Sequence, residues 1–232
     1  MPDKACIITG ASRGIGLATA LRLARGGYHV TLAARNPVEL EAAARQVSAV
    51  GVGVEAVPVD VAEPPAAAEL TAISLRRFGR IDVLINNAGY GLLAPIDQLA
   101  AAEFQKLLAV NVVSVFHLTQ AVWPVMRDQR GGVIVNVSSI AAFDPFPGFA
   151  VYGACKAWVN TFTRAIAEEG KKLGIRVFAV APGAVETQML RSAFPSFPAE
   201  QTLDPDHVAA TIEALVDERL AHCSGQTVIV KR

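Results

Sequence analysis

Tyr152 and Lys156 are the residues whose types and spacing best suit acid–base chemistry. They lie four positions apart, so on a helix their side chains share one face. A phenol with a pKa of about 10 is a poor base at neutral pH, but a nearby ammonium lowers that pKa. Alternatively, Tyr152 and Lys156 are surface residues, and the apolar parts of their side chains cover apolar surface. Cys155, between the two, is interpreted as a packing residue, because no histidine is close in sequence.

A glycine-rich turn follows the first apolar run, with the sequence Thr9-Gly10-Ala11-Ser12-Arg13-Gly14-Ile15-Gly16. Gly10 permits a tight exit from a strand, Gly14 lets backbone approach a pyrophosphate, and Gly16 allows close helix packing. The free N–H groups of the following helix favour a phosphate there. The spacing is G-x-x-x-G-x-G, so the motif G-x-G-x-x-G is not strictly met. One alternative is a turn without a ligand. Another is the G-x-S-x-G nucleophile elbow of α/β-hydrolases, but no earlier strand could supply its oxyanion-hole loop.

Composition narrows the possible classes. The 232 residues suit one domain, residues 1–232, with 52% apolar and 18% charged residues. Basic and acidic residues number 21 each, without a basic run, so no nucleic-acid partner is expected. The three scattered cysteines indicate reduced thiols in a cytoplasmic protein and no metal site. No apolar run approaches about 18 residues and no leader precedes the first strand, so no membrane segment is expected.

The elements that must position these residues alternate along the chain. Strands are predicted at residues 5–9, 30–34, 54–59, 81–85, 133–137, 177–180 and 227–230. Helical patterns lie near 14–26, 37–50, 64–78, 102–128, 151–173 and 206–220. The strands are apolar at consecutive positions, which suits burial on both faces, and their alternation with helices implies a parallel sheet. We predict a single doubly wound α/β domain with right-handed crossovers.

The motifs together resemble the short-chain dehydrogenase/reductase family, in its compact single-domain branch. The matching positions are the glycine-rich turn, Asp60, residues 86–89, Asn111, Ser139, residues 152–156 and residues 182–187. Each motif alone is weak evidence for the family, whereas the full set in this order, at strand ends or on helices, is specific evidence for it. The resemblance implies a Rossmann three-layer sandwich with a seven-stranded parallel sheet of order 3-2-1-4-5-6-7. Ligands of such sheets bind beyond the carboxyl ends of the strands, where most of these motifs fall.

The resemblance also implies an activity, namely hydride transfer between a nicotinamide and a carbonyl or alcohol. Tyr152 would be the general acid/base, and Lys156 would lower its pKa and hold the nicotinamide ribose. Ser139 would polarise the substrate carbonyl, while Ser138 should point the opposite way. Asn111 would hold a water that links Lys156 to solvent. The alternative for Asn111 is local hydrogen bonding inside a helix.

Two arginines favour NADP(H) over NAD(H). Arg35 follows the second strand, where an NAD site places a carboxylate, and Arg13 could reach the same 2′-phosphate from the glycine-rich turn. A guanidinium suits bidentate phosphate contacts, although both arginines could instead be solvated charges. Asp60 resembles the family's adenine contact. The expected cofactor contacts are Gly10, Ser12, Arg13, Gly14, Ile15, Gly16, Arg35, Asn36, Asp60, Val61, Asn87, Ala88, Gly89, Tyr152, Lys156, Pro182, Gly183, Val185 and Thr187.

Residues 143–149 and 189–197 correspond to the family's substrate side and are apolar and aromatic, which suits an apolar small-molecule carbonyl or alcohol. Alternatively, these phenylalanines only complete the core. The loop after Thr187 is short, which implies an open site and a bulky or carrier-attached substrate. The long helices 102–128 and 151–173 suit a homodimer. Many relatives end in an Asp-Gly-Gly tail that this sequence lacks, so a tetramer is less expected.

Several other functions are compatible with part of these residues. A 3-oxoacyl-thioester reductase, a carbonyl reductase and an NAD-dependent alcohol dehydrogenase are not separated by the sequence. An NADP-binding regulator or scaffold without turnover remains a further alternative. Epimerases and dehydratases of related fold carry a larger C-terminal domain, and enoyl reductases have a wider Tyr–Lys spacing.

Overall fold

A parallel sheet built from the short apolar runs forms the centre of the molecule. The computed structural model describes residues 4–232, so the leader prediction, which depends on residues 1–3, lies outside the described residues. The strands are β1 (Ala5–Thr9), β2 (His29–Ala34), β3 (Val54–Pro58), β4 (Val83–Asn86), β5 (Gly132–Val137), β6 (Ile175–Pro182) and β7 (Thr227–Val230). They pair in the order β3-β2-β1-β4-β5-β6-β7. This confirms the predicted seven-stranded parallel sheet.

Side-chain alternation along the strands divides the core into two layers, one on each face of the sheet. In β1, Ile8 packs on one face with Leu32 of β2, whereas Ile7 packs on the other face with Leu84 of β4. Because successive side chains of a strand point to opposite faces, both must be apolar when helices cover both faces. The unbroken apolar runs of the sequence follow from this arrangement.

The helices lie close to the predicted patterns. They are α1 (Gly14–Arg25), α2 (Pro37–Ser48), α3 (Ala66–Phe78), α4 (Ala101–Leu108), α5 (Ser114–Asp128), α6 (Ala150–Gly170), α7 (Gln188–Ala193) and α8 (Pro205–Val216). Pro37 and Pro205 occupy first-turn positions, where proline is tolerated.

Three helix predictions need correction. The predicted helix 102–128 is divided by a π-helical turn, Ala109–Val113, between α4 and α5. The pattern 206–220 ends as α-helix at Val216 and continues as 3₁₀ turns over Glu218–Cys223. Helix α7 lies in a segment that the sequence predicts as a loop. Thr187 starts it, because its Oγ1 accepts a hydrogen bond from Leu190 N at 3.3 Å.

The segment Ala101–Asp128 has the length, 28 residues, and the composition of a helix that could cross a membrane. In the fold its α5 part packs on the sheet and on α3, and it buries Leu118, Val122 and Met126. A helix in the core of a folded protein can have the same length and apolar composition as a membrane-spanning helix. Helix α5 packs as such a core helix does.

The direction of the strand order reverses between β1 and β4. All seven strands are parallel, so their carboxyl ends lie at one edge of the sheet. In doubly wound sheets, ligands bind in the crevice at such a reversal. The glycine-rich turn after β1 and residues 87–89 after β4 border this crevice.

Candidate active site

The glycine-rich turn has a backbone that side chains would obstruct. Gly10 and Gly14 have φ values of +63° and +55°, a region that disfavours residues with a Cβ. A Cβ on Gly16 would overlap the carbonyl oxygen of Gly10 and lie 2.6 Å from Asn87 Nδ2. The three glycines therefore allow the turn and the start of α1 to pack closely against the end of β4 and Thr187. Ile15 sits between them and packs partly against the core.

Hydrogen bonds join this turn to the end of β4. Asn87 Nδ2 donates to Thr9 O at 2.8 Å and to Gly10 O at 3.1 Å. Thr9 Oγ1 accepts from the backbone N–H groups of Asn87 at 3.1 Å and Ala88 at 3.0 Å. Thr9 is not among the predicted site residues, although it opens the glycine motif. Its hydroxyl and Asn87 hold the two edges of the crevice together.

The loop after β6 closes the crevice from the other side. Pro182 ends β6, and Gly183 N donates to Val230 O of β7 at 2.8 Å. Val185 is buried and forms a bridge with Leu203. A Cβ on Gly14 would lie 3.2 Å from Thr187 Cγ2, so Thr187 of this loop lies beside the glycine-rich turn.

Tyr152 and Ser139 meet at the carboxyl end of β5. Ser139 Oγ accepts from Ala141 N at 3.2 Å, and the Ser139 side chain is close enough to Tyr152 to lower its pKa. Ser138 points elsewhere, because its buried hydroxyl donates to Lys156 O at 3.1 Å. A Cβ on Gly153 would lie 2.6 Å from Ala141 O. Helix α6 therefore packs directly on the segment that carries Ser139.

Lys156 and Asn111 lie beneath the same crevice. Lys156 is buried, and its Nζ donates to Val137 O at 2.9 Å. Asn111 occupies the π turn, where its amide donates to Leu107 O at 2.9 Å and to Tyr90 O at 2.8 Å. A Cβ on Gly89 would lie 3.4 Å from Asn111 Oδ1 and 3.8 Å from Lys156 Nζ. Gly89 is thus where these two side chains converge, and π turns often mark such functional sites.

Burial controls the ionisation of the acid–base pair. It raises the pKa of Tyr152 to about 12, and the nearby Ser139 side chain opposes that rise. It lowers the pKa of Lys156 to about 8. The Lys156 ammonium lies 5.7 Å from the centre of the Tyr152 ring. The sequence suggests a Tyr152 pKa below its usual value, but in the described structure burial is the largest influence on this pKa and raises it.

The buried Lys156 gives the protein a testable pH dependence of stability. Its folded pKa of about 8 is below the unfolded value of 10.5, so between these pH values Lys156 binds more protons in the unfolded chain, and its own contribution to stability rises with pH. At about 1.4 kcal/mol per pKa unit, the rise from pH 7 to 10 is about 2–3 kcal/mol. Urea unfolding of the cofactor-free Lys156→Met variant should lack this rise, whereas the exposed Lys171→Met should keep it. Parallel curves for wild type and Lys156→Met would contradict the lowered pKa of Lys156.

The side chains near the predicted 2′-phosphate position are already paired. Arg13 Nη1 lies 2.5 Å from Glu39 Oε2, and Ser12 Oγ donates to the same oxygen at 3.3 Å. Arg35 Nη1 lies 3.8 Å from Asp60 Oδ2. These contacts place the arginines beside the glycine-rich turn and the ends of β2 and β3. Glu39 is not among the predicted site residues.

Two further predicted contacts have structural roles. Asn36 is the N-cap of α2, and its Oδ1 accepts from Val38 N at 3.0 Å. Asp60 Oδ1 accepts from Ala62 N at 3.0 Å, which shapes the turn after β3, and Val61 packs partly against the core. The side-chain oxygen of Asn36 is thus committed to the helix cap, and its amide NH₂ and backbone stay predicted cofactor contacts.

An aromatic cluster lies beside Tyr152. The Phe149 ring lies 5.0 Å from Tyr152, 4.8 Å from Phe146 and 5.6 Å from Phe194 of the segment after α7. Phe149 is buried, whereas Phe143 is 50% exposed and Phe146 37% exposed. The phenylalanines therefore do both things that the sequence allows: some complete the core, and others leave apolar surface open beside the acid–base pair.

Tyr90, which the sequence does not single out, and Met189, the first residue of the predicted substrate segment 189–197, both lie close to Gly89. The Tyr90 hydroxyl donates to Glu103 Oε2 at 2.7 Å, and Lys106 Nζ lies 4.2 Å from the Tyr90 ring centre. Met189 of α7 approaches Gly89 and Gly91, with its Cε 3.6 Å from a Cβ on Gly89.

Cys155 is buried beside Leu107 O, in line with a packing role. Among residues 4–232, no group of His, Cys, Asp and Glu is arranged to hold a metal.

Known proteins share this sequence and architecture. The family model for short chain dehydrogenases matches residues 4–196. A 3-oxoacyl-[acyl-carrier-protein] reductase of Synechocystis sp. is 36% identical over 231 residues, covering 97% of this chain and 94% of that protein. The crystal structure of a 3-ketoacyl-(acyl-carrier-protein) reductase from Brucella melitensis, complexed with NADH, superimposes with a TM-score of 0.92 at 31% identity, over 98% of this chain and 96% of that one.

A second solved structure carries both a cofactor and a steroid. It is a 7α-hydroxysteroid dehydrogenase complexed with NADH and 7-oxo glycochenodeoxycholic acid, with a TM-score of 0.93 and 29% identity over 98% of this chain and 92% of that one. The family match, the sheet order and the relatives agree with one another. The chain therefore belongs to the short chain dehydrogenase family, whose members are nicotinamide-dependent oxidoreductases of alcohols and carbonyl compounds.

Proposed function

We propose that this chain is an NADP(H)-dependent oxidoreductase that interconverts a carbonyl compound and its alcohol, with Tyr152 as the general acid/base. The observation that carries the proposal is the position of the buried Lys156 ammonium, 5.7 Å from the centre of the Tyr152 ring, with the Ser139 side chain acting on the same phenol. A phenol, a hydroxyl and an ammonium so arranged can bind, polarise and protonate one substrate oxygen.

Tyr152, Ser139 and Lys156 have different roles at the substrate oxygen. In reduction, the Tyr152 hydroxyl gives its proton to the substrate oxygen while the Ser139 hydroxyl donates a hydrogen bond to the same atom. The pKa of about 12 keeps Tyr152 protonated, which suits proton donation. The Lys156 ammonium then stabilises the phenolate that is left, because opposite charges favour the ionised form. In alcohol oxidation the same groups act in reverse.

The crevice fits a dinucleotide by its glycine-rich turn. Gly10, Gly14 and Gly16 let the turn pack closely against Asn87 and Thr187, where a Cβ would collide, and the N-terminus of α1 favours phosphate oxygens there. Arg13 and Arg35 would hold the 2′-phosphate, and Lys156 the nicotinamide ribose. A bound nicotinamide supplies the hydride. NADP(H) is proposed on the strength of the two arginines, although the solved relatives named above carry NADH.

An apolar substrate follows from the aromatic cluster. Phe146 exposes ring surface and stacks on Phe149, which contacts Tyr152, and such a wall suits a hydrophobic carbonyl compound. The short α7 segment leaves the site open, which favours a bulky or carrier-attached substrate. A strong preference for very small aldehydes would count against this part of the proposal.

We further propose one domain that holds both cofactor and substrate, working in the cytoplasm as a homodimer. Helix α4, the π turn and α5 leave Phe104, Val113 and Phe116 about two-fifths exposed. The Phe116 ring lies 6.4 Å from Phe162 of α6, so apolar surface spans both helices and suits a subunit contact. Sedimentation should give a dimer at micromolar concentration, and a monomer would contradict this assembly.

The activity can be tested before the substrate is identified. Purified protein is mixed with NADPH and a panel of aromatic ketones, 3-oxoacyl thioesters and 7-oxo steroids, and loss of reduced nicotinamide is followed with identification of the alcohol. NADH is run in parallel. We expect turnover of at least one apolar carbonyl, faster with NADPH. Tight cofactor binding without turnover of any compound would favour a regulator or scaffold instead.

A further inference from the structure

The Glu39 carboxylate lies against the residues proposed to contact the 2′-phosphate. One of its oxygens, Oε2, is 2.5 Å from Arg13 Nη1 and accepts from Ser12 Oγ at 3.3 Å. The Arg13 side chain is 54% exposed and that of Glu39 39%. A guanidinium and a hydroxyl that converge on one oxygen resemble the donor set that an entering phosphate needs.

The local fold holds Glu39 in this place. Asn36 caps α2, Pro37 occupies its first turn, and Glu39 N donates to Asn36 Oδ1 at 3.3 Å. Ala11 N of the glycine-rich turn donates to Ala33 O of β2 at 3.1 Å, which fixes that turn beside the start of α2. Glu39 in the first helical turn is also favoured by the helix dipole. Its carboxylate thus faces Arg13 before any cofactor binds.

The second arginine is less firmly engaged. Arg35 Nη1 lies 3.8 Å from Asp60 Oδ2, beyond hydrogen-bond distance. Arg13 therefore carries the stronger internal pair. An anion bound at Arg13 must displace the Glu39 carboxylate or lie next to it, and either requirement costs binding free energy, through the lost ion pair or through like-charge repulsion.

We propose that Glu39 is a specificity-determining residue that occupies Arg13 as an internal anion and thereby weakens binding of 2′-phosphorylated cofactors. NADH has no 2′-phosphate and does not compete with Glu39 for Arg13. The chain's preference for NADPH is then smaller than its two arginines alone would give. This inference rests on the proposed nicotinamide-dependent function and adds to it the residue that limits its cofactor selectivity.

The test is the Glu39→Gln variant, which keeps the shape of the side chain and removes its charge. Dissociation constants are measured for NADPH and NADH by fluorescence, and for 2′,5′-ADP and 5′-AMP by calorimetry, so that no readout depends on turnover. We expect NADPH and 2′,5′-ADP to bind about three- to ten-fold more tightly, equivalent to about 0.6–1.4 kcal/mol. Affinities for NADH and 5′-AMP should change by less than two-fold.

Two further variants separate direct competition from a general change of charge. Glu41→Gln removes the same charge from the same helix, but Glu41 pairs with Arg45 at 3.4 Å rather than with Arg13. It should leave the 2′,5′-ADP affinity within two-fold. In an Arg13→Gln background, the gain from Glu39→Gln should fall to under two-fold, because the carboxylate no longer has a guanidinium to occupy.

Each outcome decides the inference. Unchanged or weaker 2′,5′-ADP binding by Glu39→Gln overturns it, as does an equal gain from Glu41→Gln. Weaker NADH binding by Glu39→Gln also overturns it, because Glu39 would then be a contact of the NAD ribose. If the proposed function itself is wrong, the wild-type protein will bind neither NADPH nor NADH. That result is distinct from every outcome named above.

Discussion

Replacing Tyr152 with Phe is expected to reduce kcat at least about a thousand-fold while NADPH affinity stays within a few-fold. The hydroxyl is the only proton donor proposed at the substrate oxygen, and general acid–base groups contribute about 10²- to 10⁴-fold. The ring itself remains, and with it the contact with Phe149 at 5.0 Å. The loss should therefore fall on the chemical step rather than on folding.

The measurement is steady-state kinetics with the best carbonyl substrate, together with a fluorescence titration of NADPH. Tyr28→Phe is the matched control, because Tyr28 is also a partly buried phenol whose pKa burial raises to about 12. It precedes β2, at the amino ends of the strands, and its variant should keep near wild-type kcat. A Tyr152→Phe enzyme that turns over at more than about a tenth of the wild-type rate would remove Tyr152 from its proposed role.

The second large effect is expected from Gly16→Ala. The added Cβ would overlap Gly10 O and lie 2.6 Å from Asn87 Nδ2, so either α1 or the glycine-rich turn must move. Overpacking of this kind costs about 1–3 kcal/mol of unfolding free energy, occasionally more. Because the displaced atoms border the phosphate position, we also expect the NADPH dissociation constant to rise more than ten-fold.

Urea unfolding and the NADPH titration measure both effects. Gly131→Ala is the control, since a Cβ there meets only Gly174 O, at 3.9 Å, and Gly131 is not among the glycines with positive φ. It should leave NADPH affinity unchanged and alter stability by less than about 1 kcal/mol. A Gly16→Ala protein with wild-type stability and affinity would show that the turn is not as tightly packed as described.

The sheet was predictable because burial leaves a strong mark on sequence. Ile7 and Ile8 pack on opposite faces of β1, so both had to be apolar, and the same holds along the other central strands. The strand order followed from the family resemblance rather than from periodicity. The π turn around Asn111 could not be predicted, since the sequence 109–113 fits an ordinary helix as well.

The motifs of the site are visible in the sequence, but their electrostatics are not. The spacing of Tyr152 and Lys156 correctly suggests proximity, with the ammonium 5.7 Å from the ring centre. It carries no information on burial, which reverses the direction of the expected Tyr152 pKa shift. The Arg13–Glu39 pair joins residues 26 positions apart, and only the fold of β2 and the start of α2 brings them together.

Binding of a nicotinamide cofactor underlies the proposed activity and the inference about Glu39, and it can be measured by fluorescence titration of the wild-type protein with NADPH and, separately, with NADH. We expect saturable binding of both, with the lower dissociation constant for NADPH because Arg13 and Arg35 meet its 2′-phosphate. A lower constant for NADH would overturn the cofactor assignment and leave the acid–base site standing. Absence of binding by either dinucleotide would contradict the proposed function as a whole.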